Sequence, residues 1–126
     1  MERNPVGWFE IYVEDLSRAT RFYETVLGVT LDKLGDPTDS QIQMMAFPMN
    51  MDLPGASGSL VKADGVKSGA NSTLVYFSCA DCAEEGSRVA SSGGRIEREK
   101  MSIGQYGFIV LAIDTEGNMF GLHSMS

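Results

Sequence analysis

The sequence predicts an α+β protein: two tandem βαβββ modules forming one curved mixed sheet, a half-barrel around a cleft. Three observations predict it. A strand followed by a capped helix occurs twice, in "WFEIYVEDLSRATRFYETVLG" and in "LVYFSCADCAEEGSRVASSGG". The two copies hold a constant offset: Asp15 falls on Asp81 and Gly28 on Gly94, both 66 positions apart. The far ends also match, with Gly55 on Gly117 and Leu60 on Leu122, both 62 positions apart. One length change between helix and last strand accounts for the difference.

The first strand lies in 8–16. Phe9, Ile11 and Val13 share one face, and Trp8, Glu10 and Tyr12 the other, because strand side chains alternate. Asp15 or Ser17 caps the helix that follows. Ala19, Phe22, Tyr23 and Val26 recur at helical spacing, and Gly28 ends the run. Three strands follow near 29–34, 41–47 and 58–62. The second copy opens on 74–82, where Val75, Phe77 and Cys79 share one face and Leu74, Tyr76 and Ser78 the other. Asp81 and Glu84 form a D-x-x-E capping box, and the helix runs to Gly93-Gly94 with Gly86 as a weak point. Its later strands lie near 95–100, 107–113 and 118–123. Module 1 spans about 5–62, module 2 about 72–124, and the Gly/Ser-rich stretch 63–71 links them within one domain of 126 residues. Neither half covers both faces of its own sheet. Packed edge to edge, the two are expected to bury the faces bearing Trp8 and Tyr76 around a cleft.

Composition narrows the function. Net charge is −7 with no basic stripe, which disfavours nucleic-acid partners. No apolar run reaches the roughly 18 residues of a membrane span, and "MERNPVGWFE" lacks the layout of a signal peptide, so a cytoplasmic protein is expected. Cys79 and Cys82 make one C-x-x-C pair. It is too small for a zinc site and reads either as a redox dithiol or as a core residue beside a helix opener.

The strand-Asp-helix-Phe-Tyr-Gly string and the turn "DTEGN" (114–118), extended through "FEIYVEDLSRATRFYETVLG" and "GGRIEREKMSIGQYGFIVLAIDTEGNMFGLHS", resemble the vicinal oxygen chelate superfamily. That group includes glyoxalase I, bleomycin-resistance proteins and extradiol dioxygenases. In metal-using members the resemblance implies four ligands, two per module. Two sit seven residues before each helix-capping Asp, and two sit four residues after each turn Gly. Here these positions hold Trp8, Leu74, Ser59 and Gly121. Three offer no donor atom and Ser59 offers only a neutral oxygen, so no metal and no cofactor is expected. Glu10 and His123, each two residues further along its strand, form the alternative of a shifted two-ligand site. The resemblance also carries an expectation of a homodimer.

Candidate site residues follow from the strand faces. His123, the only histidine, shares a face with Met119 and Gly121. Glu10, between Trp8 and Tyr12, is expected to be partly desolvated and its pKa raised, which would suit a general base. Glu10 and His123 are therefore the catalytic candidates. Trp8, Tyr12, Tyr76, Tyr106 and Met119 are the ligand-binding candidates. Met44, Met45, Met49 and Met51 suit an adaptable apolar cover, a subunit contact or core filling. The reading is a protein that binds a small aromatic or electrophilic molecule without a metal. The alternatives are a metal-dependent glyoxalase-type lyase or dioxygenase, and a metal-free acid/base enzyme using Glu10 and His123.

Overall fold

A computed structural model describes residues 4, 6, 8–35, 41–71 and 73–126. The expected module starts at 5 and 72 lie outside the described residues. Module 1 consists of β1 (Phe9–Tyr12), α1 (Leu16–Leu27), β2 (Asp32–Gly35), β3 (Gln43–Ala46) and β4 (Gly58–Lys62). Module 2 consists of β5 (Tyr76–Ser78), α2 (Cys82–Gly86), β6 (Arg95–Ser102), β7 (Phe108–Ile113) and β8 (Met119–Ser124). Short 3-10 turns occupy Ala90–Ser92 and Gly104–Tyr106. The strands form two four-stranded mixed sheets, ordered β1-β4-β3-β2 and β5-β8-β7-β6.

The internal repeat holds at the level of register. β1 pairs in parallel with β4, Glu10 beside Ser59 and Ile11 beside Leu60. β5 pairs in parallel with β8, Tyr76 beside Gly121 and Phe77 beside Leu122. The offsets of 66 and 62 carry Glu10–Ser59, Ile11–Leu60 and Tyr12–Val61 onto Tyr76–Gly121, Phe77–Leu122 and Ser78–His123.

Asp15 caps α1 by accepting from the Arg18 amide at 3.0 Å, and Gly28 closes it in the left-handed conformation at φ 67°. The second helix is shorter than the spacing predicts. It ends at Gly86 and resumes only as the 3-10 turn, because Gly86, Ser87, Ser91 and Ser92 are poor helix formers. The capping box is only half made. Asp81 accepts from the Ala83 amide at 3.0 Å, but Glu84 pairs with Arg88 rather than reaching back.

One core joins the two modules. Tyr23 of α1 stands at its centre, with ring centroids of Phe22, Phe47, Phe77 and Phe120 at 5.0, 5.7, 5.8 and 5.5 Å. Phe47 follows β3, whereas Phe77 and Phe120 belong to the second sheet. Each tilted or edge-on aromatic pair adds about 0.5–1.5 kcal/mol beyond its buried area. Arg88 fastens the same seam by donating to the Val26 carbonyl from Nε (3.1 Å) and Nη2 (2.7 Å), near the carbonyl-rich end of α1.

The helix-side faces pack on this shared core, and the opposite faces are only partly covered within one chain: Ser59 and Val61 of the inner strand β4 are buried, but the aromatic side chains beside them are not. Trp8 is 39% exposed and Tyr76 46% exposed. The expected burial of the Trp8 and Tyr76 side chains is therefore not found, and the curved sheets stay open there. The same open faces carry Leu34, Leu74 and Met101, all exposed. The linker is not a free tether. Asn71 exchanges hydrogen bonds with the Met119 backbone at 3.0 and 3.1 Å, and the Gly69 amide donates to Asn118 Oδ1 at 2.6 Å. No described helix is long and apolar enough to cross a membrane.

Candidate functional site

The open face of β1 presents Trp8, Glu10 and Tyr12 as one unit. The Trp8 indole donates to Glu10 Oε2 at 3.4 Å, and the Tyr12 hydroxyl donates to Glu10 Oε1 at 2.9 Å. The hydrogen bond to the Glu10 carboxylate, aided by burial, raises the Tyr12 phenol above its ordinary value. Glu10 itself is exposed, so the expected desolvation is not found: the first sheet leaves its open side to water. Glu10, Tyr12 and Met119 come together at a cavity of about 220 Å³, roofed by Lys67, Asn71 and Thr73 of the segment joining the modules. Spacing alone could not reveal that cover, since it depends on Asn71 docking against β8.

On the second sheet, the Tyr76 ring occupies the space above Gly121. A Cβ built at position 121 would run into the Tyr76 ring at Cδ1 and Cε1. Glycine is therefore what lets an aromatic ring rest on the strand there. His123 is half-buried two pairs further on, beside Ser78. Its Nε2 lies 2.7 Å from the Tyr106 carbonyl. A carbonyl only accepts, so Nε2 carries the proton and Nδ1 is the nitrogen left with a lone pair. Tyr106 is exposed on its 3-10 turn. Trp8, Tyr76, Tyr106 and His123 are not among the residues around the 220 Å³ cavity, which brings together only Glu10, Tyr12 and Met119 of the candidates.

The four positions where metal-using relatives would carry ligands do not suit a cation. Trp8, Leu74 and Gly121 have no donor atom, and Gly121 is covered by Tyr76. Ser59 is buried with its hydroxyl unpartnered, a single neutral oxygen. Among the described residues, no three His, Cys, Asp or Glu side chains converge. Glu10 and His123 stand on different sheets, each already held by other groups.

The turn 114–118 builds no ligand site and instead ties the modules together. Glu116 has no exposed side-chain surface. It accepts from the Glu14 and Asp15 amides at 3.1 and 2.9 Å, from Arg18 Nε and Nη2 at 2.7 and 3.0 Å, and from Thr115 Oγ1 at 3.0 Å. Burial alone would raise its pKa. The Arg18 fork and the two amides outweigh burial and bring it down to about 2. Sequence reasoning missed this residue, because an acidic residue in a Gly-Asn turn reads as solvated.

The Cys79 thiol is pushed up to about 12, first by burial and then by the neighbouring Glu85 carboxylate. Cys82 is fully buried. Only about one Cys79 in 10⁴ is a thiolate at pH 8, which argues against a redox dithiol. Native protein should therefore leave Ellman's reagent uncoloured over an hour at pH 8, and both thiols should react once denatured. Rapid reaction in the native state would restore the redox reading.

Comparison with known proteins accords with this architecture. The profile of the Glyoxalase/Bleomycin resistance protein/Dioxygenase superfamily matches residues 6–122. Glyoxalase I from Zea mays superposes with TM-score 0.73 at 22% identity, over 95% of this chain and 46% of the maize chain. The chain thus spans about half the length of that relative. Glyoxalase I from Leishmania major superposes with TM-score 0.72 at 18% identity, over 97% of this chain and 87% of that one. TnmS3, an antibiotic-binding protein from Streptomyces sp. CB03234, superposes with TM-score 0.65 at 24% identity, over 100% and 99%. No curated protein matches at a significant level. With the profile covering nearly the whole of both modules, the chain belongs to the Glyoxalase/Bleomycin resistance protein/Dioxygenase superfamily.

Proposed function

We propose that this protein binds a small, partly aromatic or electrophilic organic molecule on the open sheet faces, without a resident metal. The observation that carries the reading is Tyr76 lying over Gly121. At a position where metal-using relatives would carry a ligand, this chain offers an aromatic platform, and Trp8, just before β1, puts a second aromatic ring at another such position. Exposed aromatic and aliphatic side chains on both sheets support a homodimer in which copies cover each other's faces. The net charge of −7 argues against a nucleic-acid partner, and the composition fits a cytoplasmic protein.

Trp8 is the only tryptophan and so reports the site directly. A panel of aromatic and electrophilic metabolites should contain compounds that both raise Tm and change Trp8 emission. For such a compound, Tyr76→Ala is expected to weaken binding about tenfold by removing a stacking surface. Sedimentation should give the mass of two chains. A flat response across the panel, or stoichiometric metal in protein purified without chelator, would overturn the reading.

A second reading, metal-free acid/base chemistry, draws on the His123 Nδ1 lone pair and the Glu10 carboxylate. Product formation that is lost in Glu10→Gln and His123→Asn while binding persists would favour it.

A further inference from the structure

The cavity of about 220 Å³ beneath the segment joining the modules lies apart from Trp8 and Tyr76. It opens at the seam, with Ile11 of β1 on one side and Val75 and Phe120 of the second module on the other. Its size falls between the roughly 150 Å³ that holds a benzene ring and the roughly 300 Å³ at which ordinary ligand pockets begin. A molecule of about ten non-hydrogen atoms fits such a space. The roof is fixed. Asn71 Nδ2 donates to the Thr73 and Met119 carbonyls at 2.6 and 3.1 Å, and the Gly69 amide donates to Asn118 Oδ1 at 2.6 Å. Asn118 Nδ2 donates to the Tyr12 carbonyl and to Asp114 at 3.0 and 3.3 Å. All four amide hydrogens of the two asparagines are therefore spent, and they leave polar recognition to other groups.

Two charges remain at this cavity, the Glu10 carboxylate and the Lys67 ammonium, both on exposed side chains. Glu10 accepts from Trp8 and Tyr12, one bond on each oxygen, and a carboxylate has room for about four. Lys67 has no hydrogen-bond or ion-pair partner among the described residues. Opposite charges thus line one small space without meeting each other. A ligand bearing only an ammonium would meet Glu10 but bring its charge toward Lys67, and a lone carboxylate would suffer the reverse. A zwitterion satisfies both at once. We propose that this cavity is a second ligand site, which takes an α-amino acid with an aliphatic side chain. Its ammonium donates to Glu10, its carboxylate accepts from Lys67, and its side chain displaces water from Ile11, Val75 and Phe120.

L-Leucine is a fitting probe, and calorimetric titration of the whole chain the measurement. Leucine should saturate with Kd of ~1 mM. 3-Methylbutylamine lacks the carboxylate and 4-methylpentanoate lacks the ammonium. Each should bind about fivefold more weakly, the scale of one exposed ion pair. Lys67→Met should weaken leucine about fivefold and 3-methylbutylamine not at all. Glu10→Gln should weaken leucine to a similar extent and 4-methylpentanoate not at all. Lys67→Met is made at an exposed side chain without partners, so its folding is not at issue. Thr73→Trp, on the exposed roof, should block all three compounds by filling the mouth. Tyr76→Ala should change none of them, so failure of the open-face site and failure of this one are read separately. Three results would overturn the proposal: leucine that does not saturate, three compounds bound alike, or leucine binding indifferent to Lys67→Met or to Glu10→Gln. Leucine weakened by Tyr76→Ala would place it on the open face instead, and would likewise overturn it.

Discussion

Glu116→Ala is expected to lower unfolding free energy by about 3–5 kcal/mol, among the largest effects of any single substitution outside the aromatic core. The carboxylate accepts five hydrogen bonds, four of them from Glu14, Asp15 and Arg18 of the other module. Its loss leaves two amides and one face of the Arg18 guanidinium without partners at the start of α1. The pH dependence has a definite sign. The Glu116 pKa is lowered from 4.5 to about 2, so its stabilising contribution is fully present above about pH 5. That contribution, about 3 kcal/mol, is lost as pH falls from 4.5 toward 2. Urea unfolding between pH 7 and pH 2.5 should show the parent losing stability on the acid side and Glu116→Ala losing much less. A variant that keeps the parent's steep acid limb would show that other carboxylates govern it.

Much of the fold was legible because repetition is a strong signal. Matching Asp15 to Asp81 and Leu60 to Leu122 anticipated two copies of one strand-helix-three-strand unit, and the structure adds that the copies pair alike, Glu10 beside Ser59 and Tyr76 beside Gly121. Strand alternation likewise put Phe9 and Ile11 on one face and Trp8 and Glu10 on the other, and the structure turns the first of these faces to the core. What stayed hidden were relations between modules. Nothing in the spacing says that Tyr23 of α1 will stand among Phe77 and Phe120 of the other sheet. The open state of the Trp8 and Tyr76 faces follows from that choice of packing, and so does the exposure of Glu10. Gly86 was legible as a weak point of α2 but not as its end, since spacing alone does not say how weak helix formers there balance against packing on β7. Gly121 looked like a vacated ligand position. The structure supplies its positive reason, a ring lying on the strand.

Asp114→Ala is the second substitution expected to cost several kcal/mol, and it tests why the turn before β8 is built as it is. Asp114 is buried and accepts from the Tyr23 hydroxyl at 2.6 Å, the Glu116 and Asn118 amides at 2.7 and 2.9 Å, and Asn118 Nδ2 at 3.3 Å. Burial first, then the Asp114 carboxylate, holds the Tyr23 phenol well above its ordinary value, so this bond stays intact through neutral and alkaline pH. Removing Asp114 strands the phenol in the middle of the aromatic core and unpins the amides that set the path into β8. Tyr23→Phe removes only one of the four donors and should cost about 1–2 kcal/mol. The double variant should recover part of the combined loss, because the stranded hydroxyl is then absent. If the turn served only to deliver a metal-binding strand, Asp114→Ala would leave the stability of this chain nearly unchanged. If it locks the modules, unfolding should remain a single transition at lower denaturant, and binding to the Tyr76–Gly121 face should weaken with it, since Met119, Gly121 and His123 all take their direction from that turn.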